Sequence, residues 1–64
     1  MRVNGQYITL PNPVSLGEFL EKEGYDTLRV AVEKNGNIVP KKSFDSEILR
    51  DGDKLEVVCF VGGG

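Results

Sequence analysis

Few residues in this chain have types and spacing that could do chemistry, and the clearest are Gly62, Gly63 and Gly64, which follow Val61 at the end of the sequence. Glycine lacks a Cβ, so its backbone takes conformations closed to other residues and can pass through a channel too narrow for any side chain. Three extended residues reach about 10 Å. A glycine run after an apolar strand can therefore carry an α-carboxylate away from a folded body and into the active site of another protein. Cys59 is the only cysteine and the chain has no His, so a Cys/His dyad, a Ser-His-Asp triad and a His-based metal site are all excluded. Asp51 and Asp53 are paired carboxylates, but they flank Gly52, and turn chemistry explains that pattern. Cys59 falls on the expected inward face of a strand, where a cysteine behaves as a small apolar filler. No metal site is expected.

Size and charge narrow the function further. The chain has 64 residues, enough for one domain, and a domain that short buries only about 60% of the surface its unfolded chain exposes. It has no room for both a core and a deep catalytic pocket. Eight basic against ten acidic residues give a net charge of −2, and the basic residues are dispersed, so nucleic-acid binding has no support. One cysteine permits no internal disulfide. The apolar runs are too short to span a membrane, and the first residues lack the apolar stretch of a signal peptide. A reduced cytoplasmic setting is the expectation. No phosphate-cradling Gly-x-x-x-x-Gly-Lys is present.

The elements that must position the glycines follow from local signals. Met1 to Val3 reads as a short strand and Asn4-Gly5 as a type I′ turn. Gln6 to Leu10 alternates, with Ile8 and Leu10 on one face, and Pro11-Asn12-Pro13 stops it. Ser15 with Glu18 three residues on forms a capping box, and Val14 with Phe19 a hydrophobic staple. Leu16, Phe19 and Leu20 share one helical face, and Gly24 is a natural stop. A strand is expected over Leu28 to Glu33, a hairpin at Asn35-Gly36 and a short return strand over Asn37 to Val39, ended by Pro40. Lys41 to Arg50 reads as an irregular crossing with one helical turn near Ser46 to Leu49, from which Phe44, Ile48 and Leu49 plug the core. Asp51-Gly52-Asp53 is a turn, and Lys54 to Val61 is the last and longest strand.

The order ββαββ, connector, β fits an α+β domain: a mixed sheet of four to five strands with one main helix packed across one face. The last strand is expected beside the first, in the middle of the sheet. That architecture is the ubiquitin-like β-grasp, here with a domain over residues 1–61 and a flexible glycine tail over 62–64. Period two puts Leu55, Val57, Cys59 and Val61 on the core face of the last strand and Val58 and Phe60 on the other. A sheet covered by a single helix leaves its second face to solvent, so Val58 and Phe60 are candidates for partner docking.

Taken in order, several features resemble the thiamine-pathway sulfur carrier family, ThiS. They are Val3-Asn4-Gly5, Val14-Ser15-Leu16, Val30-Ala31-Val32 before Asn35-Gly36, Ile38-Val39-Pro40, Leu49-Arg50-Asp51-Gly52-Asp53, and Leu55-Glu56-Val57-Val58 running into Val61-Gly62-Gly63-Gly64. The resemblance spans the chain. The family's Gly-Gly maps onto Gly63 and Gly64, Gly62 adds a third glycine, and the first strand is short for the family.

The resemblance implies that a ThiF-like adenylating enzyme uses ATP and magnesium to form an acyl-adenylate at Gly64. A sulfur donor fed by a cysteine desulfurase then converts it to a thiocarboxylate, and thiazole synthase (ThiG-like) takes the sulfur. The chemistry is coherent, because a carboxylate is a poor acceptor for sulfur until AMP supplies a leaving group. The phosphate clamps for that step must come from the partner. On this reading the chain is a carrier and not an enzyme, binds no cofactor itself and is monomeric when free. Three other readings remain open: another β-grasp sulfur carrier such as the small subunit of molybdopterin synthase, a ubiquitin-like modifier joined through Gly64 to lysines, and a binding module whose glycines do nothing.

Overall fold

A computed structural model of the chain describes residues 1–60. Its elements run β1 (Arg2–Val3), β2 (Gln6–Tyr7), β3 (Val14–Ser15), α1 (Leu16–Lys22), β4 (Val30–Lys34), β5 (Asn37–Val39), β6 (Ile48–Leu49) and β7 (Lys54–Cys59), with single 3₁₀ turns at Thr27–Arg29 and Lys41–Ser43.

Both Asn-Gly pairs make the hairpins their sequence predicts. Asn4 and Gly5 have φ of 50° and 85°, and Asn35 and Gly36 have φ of 52° and 86°. Positive φ at both central positions is what a type I′ turn requires. The first turn joins β1 to β2 and the second joins β4 to β5. Five strands form one sheet in the order β2-β1-β7-β4-β5. The last strand lies in its centre, parallel to β1 with Val3 beside Leu55 and antiparallel to β4 with Val32 beside Val57.

Helix α1 starts and stops on the residues expected. The Ser15 hydroxyl accepts a hydrogen bond from the Glu18 N–H at 3.1 Å. At the other end Gly24 takes φ 83°; its N–H donates to Glu21 O at 3.1 Å, and the Tyr25 N–H reaches back to Leu20 O at 2.9 Å. This pair of bonds is the Schellman closure. A helix of seven residues is too short to persist alone, so packing holds it. Leu16 and Leu20 are fully buried, and with Phe19 they meet Val30, Val32, Leu55 and Val57 of the sheet and Met1, Val39, Phe44 and Leu49 from the flanks. Each such side chain contributes about 1.5–3 kcal/mol by leaving water.

Several expectations fail in the details. The strand expected over Gln6 to Leu10 covers only Gln6–Tyr7. The strand expected from Leu28 starts at Val30 instead. The Asp26 carboxylate accepts from the Leu28 N–H at 3.0 Å and turns Thr27–Arg29 into a 3₁₀ turn, which leaves Leu28 exposed. The helical turn expected near Ser46 to Leu49 is absent. A 3₁₀ turn follows Pro40, and Ile48–Leu49 is strand β6, paired antiparallel with β3 through Val14 and Leu49. Strands of two residues show no readable period, so this second small sheet is invisible in the sequence. As a consequence Phe44 and Leu49 enter the core while Ile48 does not. Finally, β7 runs from Lys54 to Cys59, and Phe60 lies outside the strand. Residue 61, and with it the boundary expected between domain and tail at 61–62, lies outside the described residues.

Candidate functional site

The docking residues expected from β7 are where period two puts them. Val58 and Phe60 are 58% and 55% exposed. Val58 lies opposite Ala31 on β4, and the Phe60 N–H donates to Arg29 O at 2.7 Å, so sheet pairing continues one residue past the last strand. Leu55 and Val57 on the other face are buried. The chain is thus held by main-chain bonds up to the residue before Val61, with two apolar side chains standing on the open face of the sheet. Gly62, Gly63 and Gly64 lie outside the described residues.

Cys59 departs from its expected role. It has the parity of Leu55 and Val57 and pairs with Val30, yet it is exposed. Periodicity gives a side chain its face but not its cover: Val30, directly opposite on β4, is buried, while Cys59 at the end of β7 is not.

The open face extends beyond the two expected residues. Register places Glu56 opposite Glu33 and Glu33 opposite Ile38, so all three share the face of Val58. Ile38 is 77% exposed. The sequence concealed it, because Asn37-Ile38-Val39 reads equally well with Ile38 facing in, and only the pairing with β4 decides. Further from the tail, Arg2 lies beside Lys54 and its guanidinium sits 5.0 Å from the centroid of the Tyr7 ring, a cation–π distance.

Asp53 does turn chemistry, as expected, whereas the Asp51 carboxylate bonds outside its own turn. Asp51 Oδ1 accepts from the Leu10 N–H at 3.1 Å and from the Met1 amino group at 3.0 Å. The Leu10 bond first, and the Met1 ammonium after it, hold the Asp51 carboxyl below its ordinary value. Asp53 accepts from Asn35 Nδ2 at 2.9 Å and from the Arg50 N–H at 2.8 Å. Burial pushes its carboxyl up, but those two bonds and the nearby Lys34 and Arg50 cations outweigh burial and leave it below its ordinary value. The Lys34 ammonium is raised, chiefly by its 2.7 Å hydrogen bond to Glu47. Among the described residues no three His, Cys, Asp or Glu side chains converge on a metal position. A groove of about 370 Å³ lies beside α1 between Gly17, Glu21, Lys41, Phe44 and Asp45. With no His in the chain it holds no nucleophile–imidazole pair. No helix among the described residues is long and apolar enough to cross a membrane.

A mixed sheet with its last strand at the centre, one helix across it and a glycine run after that strand is the arrangement the resemblance implied, and comparison with known proteins agrees. The family model for the ThiS family matches residues 1–64. The chain belongs to the ThiS family. The crystal structure of a thiamine biosynthesis protein (ThiS) from Geobacter metallireducens superposes with a TM-score of 0.81 at 32% identity, over 98% of this chain and 96% of that one. A thiazole synthase from Paramagnetospirillum magneticum is 42% identical over 62 residues, 97% of this chain but 19% of its own length. A second, from Magnetococcus marinus, is 31% identical over 64 residues and 20% of its length. This chain therefore spans about a fifth of the thiazole synthases it matches. The uncharacterized protein ycf40 of Pyropia yezoensis is 41% identical over 64 residues, 90% of its length. The mixed sheet with one helix across it is shared with that ThiS structure, so the fold of this chain is the β-grasp.

Proposed function

We propose that this chain is a thiamine-pathway sulfur carrier and that the α-carboxylate of Gly64 is the group that carries the sulfur. A ThiF-like adenylating enzyme, using ATP and magnesium of its own, joins the carboxylate to AMP with loss of pyrophosphate. A persulfide on a donor fed by a cysteine desulfurase then attacks the activated carbonyl and AMP leaves; a second thiol of the donor reduces the acyl disulfide so formed, which releases the thiocarboxylate and leaves the donor as a disulfide. Thiazole synthase takes the sulfur from the thiocarboxylate. Gly62 and Gly63 keep the approach thin inside both partners, and Val58 and Phe60 dock the body against them. The chain itself acts as carrier and co-substrate, not as a catalyst, and binds no cofactor.

The observation that carries this reading is the position of β7. It lies at the sheet centre, bonded on both sides, and brings the chain to the open face at Val58 and Phe60, both exposed, with Val61 alone between Phe60 and the glycines in sequence. Thiazole synthase is supported as a partner by two curated thiazole synthases that contain a region similar to this chain. A relative of the molybdopterin synthase small subunit would share the tail chemistry but deliver sulfur to a different acceptor.

The test is the intact mass of the protein after incubation with ATP, magnesium, the adenylating enzyme and a sulfur source. A gain matching one oxygen replaced by sulfur is expected, and it is lost when Gly64 is deleted. No gain with partners shown to be active on another ThiS protein overturns the reading. Conjugates to lysines instead would assign the chain to the modifiers.

A further inference from the structure

The open face of the sheet is banded along β7. Nearest the tail, Val58 faces Ala31 and Phe60 stands beside them. In the middle, Glu56 lies directly opposite Glu33. Furthest away is the cationic pair of Arg2 and Lys54. The middle band breaks a local rule, because like charges directly across an antiparallel pair destabilise it. Lys54 Nζ reaches Glu56 Oε1 only at 3.8 Å, and among the described residues no ion pair includes Glu33. Places where a sequence works against its own fold are where function is expected.

Building on the carrier reading, we propose that Glu33 and Glu56 form a recognition pair for a cationic group on thiazole synthase, an arginine or lysine one rung beyond the recess that receives Val58 and Phe60. Residues two apart on a strand are separated by about 7 Å, which sets the spacing the synthase must match. Two carboxylates side by side suit a guanidinium, which donates to both through its planar fork. Docking then relieves the repulsion that the free carrier bears. It also fixes the rotational setting of the carrier, since a body held only by an apolar patch could turn about it and misdirect the tail. Thiazole synthase is the occupant because two curated thiazole synthases hold a domain like this one in the same chain. A covalent link of that kind keeps the two surfaces at high effective concentration.

The experiment titrates thiazole synthase with the full chain and with the double variant Glu33→Gln, Glu56→Gln, at low and at high salt, and records the melting temperature of each carrier. We expect the double variant to bind about tenfold more weakly at low salt, to lose most of the salt dependence that the wild type shows, and to melt at the same or a higher temperature. Equal affinity of the two carriers overturns the recognition pair and leaves the carrier reading intact. Weaker binding with a lower melting temperature overturns it as well, since the pair would then support the fold. A wild-type chain that neither binds the synthase nor gains sulfur overturns both.

Discussion

The Asn4 side chain clamps Val57 from both sides: its Nδ2 donates to Val57 O at 3.1 Å and its Oδ1 accepts from the Val57 N–H at 2.8 Å. Val57 lies 53 residues away in the chain. The amide therefore continues the β1–β7 ladder one step past the end of β1, from a residue whose backbone is already turning into β2. Asn35, the equivalent residue of the second hairpin, also bonds β7, its Oδ1 accepting from the Lys54 N–H at 3.0 Å. Each turn asparagine thus has two tasks, one at its own φ and one on the central strand.

Asn4→Gly separates the two tasks, because glycine keeps the positive φ and loses the clamp. It should destabilise the domain by about 1–3 kcal/mol, the cost of leaving partly buried backbone groups without partners. Urea unfolding measures this. An unchanged midpoint would show that water replaces the amide at no cost.

Stability should fall on the acid side, with Asp53 contributing. Its folded-state carboxyl titrates below the ordinary value of 3.8, so its contribution is complete above that value and is lost as the pH falls through the lower, folded one. Thermal melts between about pH 6 and pH 2 should therefore show a declining limb near and below the ordinary carboxylate range. Asp53→Asn should flatten that limb while lowering the melting temperature at neutral pH. A limb of unchanged steepness would assign the acid sensitivity to other carboxylates.

Phe60→Ala should weaken binding to the adenylating enzyme about tenfold or more, in the range of an interface anchor. The melting temperature should stay nearly constant, because the ring is 55% exposed and leaves no cavity. Titration calorimetry with the two purified proteins decides it. Unchanged affinity removes Phe60 from the docking surface.

Most of the fold was legible because it rests on local chemistry: two Asn-Gly turns, a capped helix that ends at Gly24, and a final strand with two clean faces. The illegible parts depend on pairing. Ile48–Leu49 is a strand only because β3 lies beside it, and Ile38 is exposed only because Glu33 sets its register. Cys59 shows the same limit from the other side, its face readable from β7 but its cover depending on what packs over the end of that strand. The exposure of Val58 and Phe60 was legible from alternation alone, whereas the opposed Glu33 and Glu56 required the register of β4 against β7.

The central position of β7 also has a mechanical meaning. Any pull on the residues beyond Phe60 enters the body through this strand. Along its axis such a pull loads the bonds to β1 and β4 together, in shear, and cannot peel them one after another. Core strands of this kind open only with the whole domain. On the proposed carrier reading, an enzyme that grips the tail, acts on its end and lets go releases a body still folded for the next one.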